Sequence, residues 1–199
     1  MQMKAIEWKR ASYILLFFVA VTCVINWIIC DNNFTLMFVI DSIGLSVTVI
    51  TIIAAFFCTH LWRIHIFRKW LVLIPDLNGK WAGTIESDWV NPETQVRAAP
   101  ITAELIIRQS LFKISCVMKT EEMKSSSINA GFNINPDNQE YQLLFSYISI
   151  PKQYIQEHSR MHHGTALLEM EENFRVTKMS GNYWTGRNTG GFISVEKEQ

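Results

Sequence analysis

The chain has 199 residues, a length for one domain with additions, and its 18 Lys and Arg balance its 18 Asp and Glu. That neutral total excludes bulk electrostatic attraction to nucleic acid. No nucleophile elbow, P-loop, zincin or dinucleotide-binding fingerprint occurs, so the sequence points to no enzyme and no cofactor is expected.

The balance conceals two unlike parts. Between Arg10 and Arg63 there is no Lys or Arg, and Asp31 and Asp41 are the only acids. Residues 11–30 (ASYILLFFVAVTCVINWIIC) and 42–62 (SIGLSVTVITIIAAFFCTHLW) are uncharged runs. Each makes a helix about 30 Å long, the thickness of a bilayer core. The first is too long for a signal-peptide core, and no small-residue cleavage site follows it. Two transmembrane helices are therefore predicted.

Lys4, Lys9 and Arg10 flank the first helix, Arg63, Arg68 and Lys69 follow the second, and the connection between them has no positive residue. The positive-inside rule puts both termini in the cytoplasm. Asn26 inside the first helix and Asp41 at the edge of the second are the polar groups of this region. Asn26 either bonds to a neighbouring helix or lines an oligomer interface or pore; Asp41 either sits at the membrane surface or joins that lining. The four cysteines show no CxxC spacing, so neither a disulfide framework nor a zinc site is expected.

Residues 60–74 (HLWRIHIFRKWLVLI) read as a cytoplasmic continuation of the second helix, a basic and aromatic surface anchor that Pro75 ends. The chain thus divides into a membrane region, 1–75, and a cytosolic domain, 76–199, with 12 basic and 15 acidic residues. In the second part the apolar period changes to two. Eight strands are predicted near 80–87, 99–109, 111–119, 124–134, 140–150, 164–171, 174–184 and 190–196, with a turn at 135–139 (NPDNQ) and a loop or short helix within 151–163. The fold class is a membrane-anchored all-β protein: two N-terminal transmembrane helices, then an eight-stranded up-and-down antiparallel β-barrel, with an open sandwich as the alternative. A barrel of eight strands is nearly filled by side chains or holds one small ligand.

Alternation assigns the inner rows. Trp81, Gly83 and Ile85 share a face of the first strand; Ile101, Ala103, Leu105, Ile107 and Gln109 share one of the second. In the seventh, Met179, Gly181, Tyr183, Thr185 and Arg187 form a row, with Arg175 toward its other end. Tyr183, Thr185 and Arg187 together offer a ring to stack on a base and a planar fork of donors for a phosphate. The plainer alternative is a core tyrosine and a solvated strand-end arginine. Tyr147 faces inward as core or stacking platform, and Ser125, Ser126 and Ser127 offer hydroxyls or simply an exposed strand. His158, His162 and His163 raise a metal reading, but no carboxylate stands at helical spacing to complete a site, so no metal is expected.

The assembled pieces resemble a known family. Two short-looped helices, then LNGKWAGTI, IIRQSLFKISCVMKTEEMKSSSINA, LLFSYISIP, HHGTALLEM and MSGNYWTGRNTGGFI, are similar to the bacterial two-transmembrane β-barrel effectors of cyclic-oligonucleotide-based antiphage signalling (CBASS). The resemblance implies a barrel that binds a cyclic dinucleotide made by a partner nucleotidyltransferase. It also implies homo-oligomerisation of the helices in the lipid bilayer of the inner membrane, membrane disruption, and arrest or death of the infected cell. The ligand-binding set expected is Tyr183, Thr185, Arg187, Gln109, Tyr147, Ser125, Ser127 and Trp81, with Asn26 and Asp41 in membrane assembly. A second class of function is a membrane-tethered, lipocalin-like carrier of a lipid, for which Gly79-x-Trp81 would plug the barrel base. A carrier wants an apolar cup, whereas a nucleotide wants aromatics with fixed donors. A structural subunit with a filled barrel is a third.

Overall fold

The structure, a computed structural model, describes residues 5–29, 36–135, 138, 140–153, 160–170 and 175–198. Two compact units are present, one of residues 4–73 and one that contains residues 74–199.

In the first unit, helices α1 (Trp8–Ile29) and α2 (Leu36–Thr59) are each long and apolar enough to cross a bilayer. Their contact is marked by polar side chains: Thr22 and Asn26 of α1 and Ser42 and Ser46 of α2 are buried. Asn26 Nδ2 donates to Ser42 Oγ at 2.6 Å, and the hydroxyls of Thr22 and Ser46 lie 2.5 Å apart. These polar side chains thereby satisfy one another across the helix pair. Asn26 is thereby engaged within its own hairpin. Asp41 lies inside α2, not at its edge, and is exposed, while Ser42 and Ser46 face α1.

The expected continuation of α2 through residue 74 is not observed. After Thr59 the chain makes two single 3-10 turns, Leu61–Arg63 and His65–Phe67. Lys69 has φ 63°, a left-handed conformation that no helix continues through. The segment then turns back to pair with the N-terminal residues: Glu7 N donates to Leu71 O and Leu73 N to Ala5 O, each at 3.0 Å. Arg10 Nη1 reaches Trp70 O at 2.5 Å, with its guanidinium 5.9 Å from the Trp70 ring centroid.

The second unit is a closed barrel in which every strand pairs antiparallel with its sequence neighbours and the last pairs with the first. The strands are β1 (Gly79–Ser87), β2 (Ile101–Gln109), β3 (Ile114–Thr120), β4 (Met123–Asn135), β5 (Glu140–Pro151), β6 (His162–Met170), β7 (Lys178–Thr185) and β8 (Gly190–Lys197). Closure rules out the open sandwich. It satisfies every edge, the reason all-β chains of this kind close.

Two boundaries move for physical reasons. β3 begins later than its apolar residues imply because Ser110 N donates to Lys113 O at 2.7 Å, and the turn tucks Leu111 into the barrel, where it is buried. β7 begins at Lys178, so Arg175 precedes the strand and is not on its row. Glu171 and Phe174, expected as strand ends, fall outside the described residues, as do 154–159 and most of the 135–139 turn.

The inner rows follow the alternation. A bulge between Ser127 and Asn129 of β4 resets its parity: Ser125 lies inside before it, Phe132 after it, and Ile128 is turned out to solvent. The lower barrel is filled, since Leu105, Leu143, Phe145, Leu168 and Ile193 are at most 1% exposed. Burying each such side chain contributes about 1.5–3 kcal/mol. Outside, Glu104 of β2 bridges Lys80 of β1 and Lys119 of β3 at 3.3 and 3.6 Å. Exposed pairs like these contribute little.

Candidate functional site

One end of the barrel is closed by backbone bonding. Gln109 Oε1 accepts from Leu77 N and its Nε2 donates to Pro75 O, both at 2.9 Å. Trp81 Nε1 donates to Leu77 O at 3.0 Å, and its ring is fully buried. Asn78 adds two bonds to the Gln109 backbone, its Oδ1 accepting from Gln109 N at 2.7 Å and its Nδ2 donating to Gln109 O at 3.0 Å. These groups form a floor that straps the incoming chain across the barrel. Trp81 and Gln109, expected as ligand contacts, are placed in this floor. Both face inward, as alternation requires, but at the closed end, with their polar atoms already matched.

The opposite end is open over a cavity of about 150 Å³. Ser125, Tyr147, Tyr183, Thr185 and Arg187 line it together. The register arranges them in tiers. In the lowest, Phe145 of β5, Ala166 of β6, Tyr183 of β7 and Gly191 of β8 are successive partners. Above it stand Tyr147, Gly164 and Thr185. At the rim Ser149 pairs with His162, and Arg187 lies in the turn just beyond β7.

Each tyrosine stands opposite a glycine. A Cβ at Gly164 would sit 2.5 Å from Tyr147 Cζ and Oη, and one at Gly191 would come within 2.8 Å of Tyr183 Cε1. The missing side chains make room for the rings, a recurrent pairing of aromatic with glycine across strands. Burial, with the Tyr183 hydroxyl nearby, pushes the Tyr147 phenol up to about 12, so it stays a neutral donor.

The turn after β7 is built by its own hydroxyls. Thr185 N donates to Thr189 O at 2.9 Å, the two threonine hydroxyls are 2.7 Å apart, and Arg187 N donates to Thr185 Oγ1 at 3.2 Å. Arg187 therefore does not extend the strand row as expected; the turn carries it to the cavity by another route. Ser125 and Ser149 share a hydroxyl bond of 2.7 Å on the cavity wall. Ser127 is not in this lining: its Oγ accepts from Cys116 N at 2.9 Å, beyond the last register pair of β3 and β4.

His162, Ser149, Thr120, Thr189 and Glu122 also line the cavity, beyond the expected ligand-binding set. Ser149 was legible, since it continues the alternate row Leu143, Phe145, Tyr147. Thr120 and His162 likewise continue the inner rows of Met118 and Gly164, whereas Glu122 and Thr189 sit in turns, where alternation carries no information. No cluster of three or more metal-ligating side chains occurs among the described residues. His158 lies outside them, and His163 is exposed beside His162.

Residues 72–197 match the model of the family described as Cap15, cyclic dinucleotide receptor domain. The chain is 25% identical over 158 residues to the CD-NTase-associated protein 15 of Staphylococcus schleiferi, covering 79% of this chain and 80% of that protein. It is 25% identical over 168 residues to the protein of the same name from Escherichia albertii, covering 80% and 82%. The match covers the whole barrel, and the two apolar helices before it complete the architecture of the two-transmembrane CBASS effectors. The chain belongs to the Cap15 cyclic dinucleotide receptor family.

Proposed function

We propose that the barrel mouth is the receptor site for a cyclic dinucleotide made by a partner nucleotidyltransferase, and that occupancy drives self-assembly of α1 and α2 in the inner membrane. The observation that carries the reading is the mouth itself. Two tyrosine rings and Arg187 converge on one cavity above a filled barrel. Rings offer stacking surfaces for bases, and a guanidinium offers a fork for a phosphate. A carrier of long apolar chains needs interior volume, and side chains occupy it here.

The cavity is smaller than the roughly 300–1,000 Å³ that encloses most of a drug-sized ligand. The ligand accordingly places one base between the tyrosines and leaves its phosphates at the rim, near Arg187. The protein acts as a receptor and breaks no bond. Output is a population shift: a ligand that favours the assembled state by a few kcal/mol changes its occupancy by orders of magnitude. Assembly disrupts the membrane and halts the infected cell.

The test uses the full chain in detergent, with thermal-shift measurements against cyclic di-AMP, cyclic di-GMP and cyclic UMP–AMP, their linear forms, and a fatty acid. A cyclic dinucleotide at about a hundred times its Kd stabilises the protein by roughly 2.7 kcal/mol. Stabilisation by the fatty acid alone overturns the reading. Reporter fusions after Lys69 test the orientation: a periplasmic signal there would remove the barrel from any cytosolic messenger.

A further inference from the structure

Arg187 and His162 stand at the same rim, one on the turn after β7 and the other at the start of β6. A cyclic dinucleotide carries two phosphate charges, and a single guanidinium answers one of them. We propose that His162 is the second phosphate contact, and that it becomes one by taking a proton from solvent as the ligand binds. The proposal rests on the reading of the mouth as a cyclic dinucleotide site.

The geometry carries it in two steps. His162 Nδ1 lies 3.2 Å from the backbone oxygen of Arg160. A carbonyl oxygen only accepts, so Nδ1 holds the hydrogen and Nε2 of the neutral ring is a lone pair. A lone pair repels a phosphate oxygen; an Nε2–H donates to it. The ring therefore serves the ligand while keeping its Arg160 bond only when protonated.

The surroundings decide when that happens. Burial holds the imidazole below its ordinary range, the Arg160 carbonyl opposes this, and the positive charge of Arg187 and the neighbouring His163 add to the depression. Among the described residues, the other ionisable groups lining the cavity are Tyr147 from β5, Tyr183 from β7 and Glu122 from the β3–β4 turn. Near neutral pH the empty site thus keeps His162 uncharged. A bound phosphate reverses the largest charge effect: it neutralises Arg187 and stabilises the imidazolium directly. The pKa rises on binding, so complex formation takes up a proton, and affinity falls as pH rises between the free and bound values.

The experiment is calorimetry of the full chain in detergent with cyclic di-AMP, cyclic di-GMP and cyclic UMP–AMP from about pH 6 to about pH 8, in buffers of different ionisation heat. The expected result is uptake of up to about one proton per ligand and a Kd that weakens by as much as about tenfold per pH unit within the window. His162→Gln should bind with a Kd that no longer depends on pH, close to the weak, high-pH value of the unaltered protein, whereas His163→Gln should retain the dependence. Binding without proton uptake in the unaltered protein overturns the proposal and leaves the receptor reading intact, whatever the variants do. A pH dependence that persists in a folded His162→Gln also overturns it. Failure of every probe at every pH overturns the receptor reading and this proposal with it.

Discussion

Tyr147 lies directly across from Gly164, and a Cβ at position 164 would stand 2.5 Å from the end of its ring. The pairing of Tyr183 with Gly191 looks equivalent but has a different consequence. There a Cβ would meet the backbone oxygen of Glu86 at 1.9 Å, whereas at Gly164 the nearest atoms belong to a movable side-chain tip. Backbone cannot yield as a ring tip can.

The two glycines therefore separate site from scaffold. Gly164→Ala should displace the Tyr147 ring at a stability cost near the low end of the roughly 1–3 kcal/mol range for overpacking, yet weaken cyclic dinucleotide binding strongly. Gly191→Ala should impair folding itself. Thermal unfolding and calorimetry on both variants check this; equal stability losses would mean that Tyr147 is as rigidly held as the strand.

Gln109 provides the complementary case at the closed end. Gln109→Ala leaves Leu77 N and Pro75 O without the partners they now have. An orphaned buried donor or acceptor costs about 1–3 kcal/mol, so the melting temperature should drop while the Kd of the folded fraction stays unchanged. A selective loss of affinity would restore Gln109 to the ligand site.

The contrast between these residues explains what the sequence disclosed. The barrel was legible because period-two alternation is a global property: Tyr147 and Tyr183 fell inside by parity alone, while the run Ser125, Ser126 and Ser127 stayed undivided. Parity says nothing about height along the barrel, so Trp81 and Gln109 read as equals of Tyr183 although they belong to the floor. Turns escape alternation altogether, which hid Glu122 and set Arg187 on a strand row that ends before it, whereas His162 continues the inner row of Gly164 and Ala166 at the start of β6. Local backbone choices, such as the left-handed Lys69 before the segment that turns back to residues 5–7, depend on tertiary pairing and leave no periodic trace.

The helical hairpin gives a third expectation. Asn26→Leu removes the donor to Ser42 and should loosen the α1–α2 contact by about 0.6–2 kcal/mol, the measured scale of such bonds in lipid. Cysteine pairs introduced across the helices should then cross-link more slowly in membranes. If cross-linking between chains falls instead, Asn26 serves the oligomer and not its own hairpin.

Alkaline stability should carry the signature of two buried groups. Burial pushes the Cys116 thiol from 9.0, and the Tyr147 phenol from 10.0, each up to about 12. Above their ordinary values the unfolded chain releases protons that the native barrel keeps, so stability is full below that range and falls as pH rises through it. Denaturant unfolding as a function of pH should show this decline, and Tyr147→Phe should flatten its upper part. The buried thiol should also resist alkylation until the barrel opens.

The last expectation concerns Arg187 and uses Arg175 as its control. Arg187 stands at the mouth, while Arg175 lies on the β6–β7 connection at the other end of the barrel. If Arg187 pairs with a phosphate, Arg187→Ala removes a charge-assisted hydrogen bond of about 1.5–3 kcal/mol, which is roughly ten- to over a hundredfold in Kd. Arg187→Lys should recover only part of that, since it keeps the charge and loses the planar fork. Tyr183→Ala should weaken binding by removing a stacking surface, whereas Tyr183→Phe should cost much less. Arg175→Ala should leave the Kd unchanged, because a screened charge at the far end contributes little across more than about 10 Å of solvent at ordinary salt. Equal losses at the two arginines would identify a diffuse electrostatic effect, and an unaltered Kd in Arg187→Ala would remove Arg187 from the site while leaving the tyrosines to carry it.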